Sequence, residues 1–283
     1  MSRHVAELKS QQPPPGSPRS AKSPQRRSAL RSVLVPTEHG GWGLTLEPVL
    51  LGLLVAPSWS GVGLGLAAAV LFLARTPFKI LLVDLHRHRR LPRTRFAAGA
   101  VGCYAALLAG CVAVPLLQAP ATTWLPLVLI APMVGTELWY DMRSRGRRLI
   151  PELAGAVGIA GVAAMIVLAG GQPTGIALAC WALLSARALT SITNVRDLVQ
   201  GLHGRRRQPA VVWAGDISAL TIAAVVAAFE PAALMGAIAV AALIVVQRLL
   251  RLRPTPRAVI LGLTQTAFGL VVVVAAAVGM VQA

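Results

Sequence analysis

Acidic residues are scarce in this chain: 10 Asp and Glu stand against 27 Lys and Arg, a net charge of +17 in 283 residues. Charged residues of both signs make up only 13%, about half the share usual in a soluble domain. That shortage excludes an ordinary water-soluble globule. Aromatic residues reach only 5%, and the basic residues are split among short segments between apolar runs. A groove that tracks a nucleic-acid backbone and stacks its bases is therefore not described, and no nucleic-acid partner is expected. Three cysteines, Cys103, Cys111 and Cys180, form no CxxC and join no Cys/His cluster. No disulfide and no zinc site follow from them. No cleavable signal peptide is visible at the amino terminus.

Apolar sequence is present in quantity, at 55%. It falls into nine runs, at 40–56, 62–83, 96–117, 123–140, 150–169, 175–195, 210–228, 233–248 and 258–281. Crossing the hydrocarbon takes ~20 apolar residues, so the first run is short. The gaps at 57–61, 118–123, 170–174 and 229–232 hold no Lys or Arg. The gaps at 84–95, 141–149, 196–208 and 249–257 do, as does the segment before residue 38. This alternation is the positive-inside pattern of a multi-pass protein of the plasma membrane with a cytoplasmic amino terminus. The fold class read from it is an all-α bundle of about nine transmembrane helices. Its partner is the lipid bilayer, and the sequence leaves the oligomeric state open.

Two regions follow. Residues 1–35 carry Pro13-Pro14-Pro15-Gly16, Ser17-Pro18 and Ser23-Pro24 among basic residues. Such a stretch cannot bury enough apolar surface to fold alone, so it reads as a disordered basic cytoplasmic arm. Residues 36–283 form a single transmembrane domain.

The few acids are oddly placed. Glu38, Glu47, Asp84, Glu137, Asp141, Glu152, Asp197 and Asp216 all lie at the basic edge, or in the basic half, of a predicted span. Arg75, Lys79 and Arg187 lie at similar depth within spans. A charge at mid-bilayer costs ~2.5–3.5 kcal/mol even on the insertion scale. These groups should therefore face one another, either as ion pairs locking helices together or around a polar cavity open to the cytoplasm. Glu47-Pro48 sits deepest in the first run, and His39 opens that run after a plausible Thr37 N-cap. A carboxylate next to a proline within a span has few plain explanations, and His39 is a candidate proton carrier or ligand for an anionic headgroup, with a structural role as the plainer alternative.

The segment Pro36–Gly43, followed by Glu47-Pro48 and Leu51-Gly52-Leu53-Leu54, resembles the YwiC-like family of bacterial membrane proteins. Arg75-Thr76-Pro77-Phe78-Lys79 and Asn194-Val195-Arg196-Asp197 resemble that family as well, so the likeness is expected from about residue 33 to the last span. More distantly, the chain resembles the UbiA superfamily of intramembrane prenyltransferases. Those are nine-helix bundles whose Asp-rich motifs, after helices two and six, hold Mg²⁺ and an isoprenyl diphosphate. Asp84-Leu85-His86-Arg87-His88 and Thr193-Asn194-Val195-Arg196-Asp197 lie at the matching places. The resemblance implies Asp84 and Asp197 as metal ligands, Arg75, Lys79, Asn194 and Arg196 as the diphosphate site, and Glu47 or His39 acting on an acceptor.

The chain departs from that pattern. Gly201 stands where the second motif needs another acid, and Asp84 is alone where the first needs two or three. Two aspartates make a poor cage for magnesium. Arginine holds phosphate without metal, so Arg75, Lys79, Arg196 and the Arg205–Arg207 run are candidates for that task, with a positive-inside loop as the plainer account of the run. Three readings remain open at this point. The chain is an enzyme like the prenyltransferases, a non-catalytic binder of an isoprenoid, quinone or other lipid headgroup, or a small-solute transporter using Glu47, Glu137 and Arg187.

Overall fold

A computed structural model describes residues 39–88, 91–143 and 148–282; the side chains of residues 39–41 and 141 lie outside this description. Nine α-helices and two short 3-10 turns account for nearly all of it, with no strand among the described residues. The helices are α1 His39–Val55, α2 Trp59–His86, α3 Pro92–Gln118, α4 Leu127–Arg143 and α5 Leu149–Ala169. Then follow α6 Thr174–Leu202, α7 Pro209–Phe229, α8 Leu234–Leu250 and α9 Ala258–Val281. All nine runs read from the sequence are helices. In lipid this is expected, because a helix satisfies its own backbone hydrogen bonds where no water is available.

Among the described residues, eight segments are long and apolar enough to cross a membrane. Two of them reach that length only with a leading 3-10 turn, Ala121–Trp124 before α4 and Pro231–Ala233 before α8. Helix α1 has 17 residues, and its apolar part, Trp42–Val55, is shorter than a span. At 1.5 Å per residue α1 measures about 25 Å, a little less than the ~30 Å of hydrocarbon.

Turn chemistry sets several ends. Ser58 starts α2 by accepting a hydrogen bond from the Gly61 amide at 2.9 Å. Pro92 and Pro209 stand in the first turns of α3 and α7, where a missing N–H costs nothing. Gly204, with φ +67°, ends the turn after α6 in a conformation that a side chain resists.

Helix α6 is the most enclosed helix and α3 the least. Around α6 pack α5, α7, α9, α1 and α8, while α3 packs mainly against α2. The core between them is small and apolar, with Ala163, Ala164, Ile166, Val167, Leu183, Val240 and Val272 fully buried. Small residues let helices approach closely where no hydrophobic effect drives association between apolar surfaces. Of the cysteines, Cys180 is packed in this core, whereas Cys103 is exposed on α3.

Candidate functional site

Among the described residues, polar side chains are buried in number only along α6, where Ser185, Arg187, Thr190, Ser191, Thr193, Asn194 and Asp197 are all enclosed. The helix runs seven residues past the predicted end at 195, because no Pro or helix-ending Gly interrupts it before Leu202. Asn194, Arg196 and Asp197 are thus helical residues with fixed directions rather than members of a loop.

The deepest polar contact joins three helices near their midpoints. Arg187 of α6 lies 2.7 Å from Glu47 of α1, and its guanidinium donates to the Gln265 carbonyl of α9 at 2.6 Å. Both side chains are 4% exposed. Gly269 of α9 makes the approach possible: a methyl group there would overlap Glu47 Oε1 and the guanidinium. The pair is close but not aligned for a hydrogen bond, and Glu47 Oε1 and Arg187 Nε make none among the described residues. One turn nearer the basic end, Gln247 of α8 reaches Ser191 at 3.3 Å and Gln265 at 3.4 Å.

At the basic end of α6 the second motif is held by arginine. Arg251, which follows α8, donates through Nε to Asn194 Oδ1 and through Nη2 to Asp197 Oδ2, both at 2.7 Å. The backbone amide of Gln208 donates to Asp197 Oδ1 at 2.6 Å. Arg207 then lies over Gly201, its guanidinium filling the space where a side chain at 201 would stand. The same guanidinium donates to Thr255 Oγ1 at 3.3 Å. The α6–α7 and α8–α9 connections are thereby joined. Between them they carry Arg205, Arg206, Arg207, Arg251, Arg253 and Arg257 and no acidic residue. Beside them Asp216 of α7 accepts from Thr190 and from Arg248 Nε, the latter at 2.8 Å. Arg248 also stacks over the Trp213 ring at 4.0 Å, a cation–π contact.

At the end of α2 the arrangement is different. Asp84 is buried, accepting from Arg93 Nη2 at 2.8 Å, from Arg93 Nε at 3.2 Å and from Thr94 Oγ1 at 2.8 Å. Thr94 in turn accepts from the Leu91 amide at 3.1 Å. This network closes the α2–α3 hairpin on itself. Arg75 pairs with Glu137 of α4, and Arg196 with Glu152 of α5 at 3.0 Å. Lys79 lies one turn beyond Arg75 on α2.

The candidate residues therefore separate. Asn194 and Asp197 share one guanidinium. Asp84 belongs to the hairpin, Arg75 to the α2–α4 contact, Arg196 to the α6–α5 contact and Glu47 to the centre of the bundle. His39 begins α1, and its side chain lies outside the described residues, as do the whole of Glu38 and the side chain of Asp141. Both oxygens of Asp84 and of Asp197 are already engaged. Among the described residues no three His, Cys, Asp or Glu side chains gather as metal ligands. As arranged, this donor set does not fit a magnesium ion. The sequence reading missed Arg93, Arg248 and Arg251, which it counted only as topology signals. The usable hint was Arg248 and Arg251, three residues apart and so on one face.

Comparison with known proteins bears on one part of the chain. No curated protein and no solved structure matches it. The family described as YwiC-like protein matches residues 35–168, from the segment before α1 to the end of α5. The match takes in Glu47-Pro48 and the Arg75–Lys79 motif; it stops short of Asn194–Asp197, so it is narrower than the extent expected from the sequence. Residues 35–168 of this polytopic helical chain are thus similar to the YwiC-like proteins.

Proposed function

We propose that the protein binds an anionic lipid headgroup, with an isoprenyl diphosphate as the leading candidate, at the arginine-rich end of α6 and without a metal ion. One observation carries this reading. Arginines occupy the positions where a carboxylate–metal cage would stand, Arg251 across Asn194 and Asp197 and Arg207 over Gly201. A guanidinium matches phosphate oxygens bidentately and needs no metal between. Six arginines in the two connections, with no acid among them, leave a strong surplus of positive charge for such a ligand. On this reading the basic end faces the cytoplasm, the membrane is the plasma membrane, and the protein is a non-catalytic relative of the prenyltransferases.

The test is thermal stability of the purified, detergent-solubilised protein against isoprenyl diphosphates of several chain lengths, with and without Mg²⁺. A ligand of the native state raises the melting temperature by mass action. The expected result is an upward shift that is independent of Mg²⁺ and lost in Arg251→Gln. A shift that requires Mg²⁺ and disappears in Asp197→Asn would restore the enzyme reading. No shift with any diphosphate overturns the proposal.

The centre of the bundle supports a second reading, movement of a proton or small solute. Its motivation is the Glu47–Arg187 pair, enclosed by three helices with polar atoms left unsatisfied. Intramembrane ionisable groups of this kind often line transport paths. Proteoliposomes showing no proton or solute flux that depends on Glu47 would remove it.

A further inference from the structure

Six ion pairs take up Glu47, Asp84, Glu137, Glu152, Asp197 and Asp216. Among the carboxylates whose side chains are described, Glu230 alone has no cationic partner. It follows α7 at the end of the bundle opposite the arginines. Its Oε2 comes within 2.7 Å of the position a Cβ would take at Gly175, in the first turn of α6.

Glu230 also lines a cavity of about 500 Å³. Leu129 of α4, Val157 of α5, Trp181 of α6 and Ile222, Val226 and Phe229 of α7 are among its walls. The volume is that of a small-molecule site. Leu129 and Phe229 are exposed, so the cavity opens sideways toward the hydrocarbon. Its other polar groups are occupied: the Trp181 indole donates to the Val157 carbonyl at 2.7 Å, and Ser185 donates to the Trp181 carbonyl at 2.8 Å. The carboxylate is thus the one charged side chain of the lining, and it has no partner among the described residues.

We infer that this cavity is a binding site for a lipophilic amine, an alkyl chain lying in the apolar groove with its ammonium group on Glu230. The charge pattern selects that class. No Lys or Arg lines the cavity, and none occurs in the connections at this end, 57–61, 118–123, 170–174 and 229–232. A phosphate or carboxylate head would meet only Glu230 and be repelled. A neutral head would leave the carboxylate unpaired. A cation satisfies it, and the Trp181 and Phe229 rings offer further favourable faces to an ammonium group.

The experiment uses the full chain in nanodiscs of phosphatidylcholine and follows tryptophan fluorescence. The probes are a primary alkylamine brominated on its chain and the brominated alcohol of equal length. The expected result is saturable quenching by the amine, with the alcohol weaker by roughly tenfold or more. Trp181→Phe removes the saturable component. Glu230→Gln brings the amine to the level of the alcohol. Ile222→Trp, which fills the groove, abolishes both. Equal quenching by amine and alcohol in the unaltered protein overturns the proposal, as does undiminished amine affinity in Glu230→Gln or in Ile222→Trp. The arginine cluster lies at the other end of the bundle, so failure here leaves the diphosphate reading untouched, and its failure leaves this one.

Discussion

The ends of α2 and α6 carry comparable motifs and use them differently. After α2, Asp84 takes its partners from nine and ten residues further on, Arg93 and Thr94. The contact is local and closes one hairpin. After α6, Asp197 and Asn194 take theirs from Arg251, more than fifty residues away. That contact ties α6 to the end of α8, and the Arg207–Thr255 bond beside it draws two arginine-bearing connections together. The same residue type in the same relative place therefore locks a fold in one case and builds a charged surface in the other. What decides is the sequence distance of the guanidinium that answers it.

The largest expected effect comes from a pair belonging to neither motif, which sets the scale. Glu47→Leu leaves Arg187 buried and unanswered, and should cost ~3–5 kcal/mol in chemical unfolding. The double variant Glu47→Leu, Arg187→Leu should recover most of that loss, since an apolar pair replaces a buried ion pair at little cost. Gly269→Ala presses on the same pair from α9 and should cost ~1–3 kcal/mol. Arg251→Gln breaks the comparison most directly. It should lower stability and also reduce diphosphate affinity by roughly tenfold or more, as expected for a lost charged hydrogen bond. Asp84→Asn is its counterpart: the melting temperature should fall by roughly 2–4 °C, with diphosphate affinity unchanged. Equal loss of binding in both variants would erase the distinction drawn between the two ends. Arg196→Gln should matter least, under ~1 kcal/mol, because its pair with Glu152 is partly exposed.

Much of the fold was legible in the sequence because a membrane span is a local property. Length, apolarity and Lys/Arg placement identified all nine helices. Errors fell at the ends, as at α6, where polar residues continue a helix that hydropathy stops at 195. The short first run was legible as well, and α1 is indeed the helix below span length. The site was less legible. Composition showed that the intramembrane charges needed partners, and the structure pairs Glu47, Asp84, Glu137, Glu152, Asp197 and Asp216 with arginines. Which arginine answers which acid is set by packing between helices far apart in the chain, for which a periodic pattern carries no signal. Arg251 looked like one more positive-inside residue, and Gly201 looked like a missing ligand rather than the seat of Arg207.

The enclosed polar face of α6 has a consequence for how the protein is made. Arg187 finds Glu47 in a helix already synthesised, whereas Asp197 and Asn194 wait for Arg251, and the Arg187 guanidinium waits for the Gln265 carbonyl. During translation α6 therefore enters the bilayer before three further helices exist to answer it. A truncated chain ending after α7 would hold Asn194 and Asp197 beside lipid or the insertion machinery without their guanidinium. Such intermediates should remain at the translocon longer than those ending after α3, and release of the whole bundle should follow synthesis of α8 and α9.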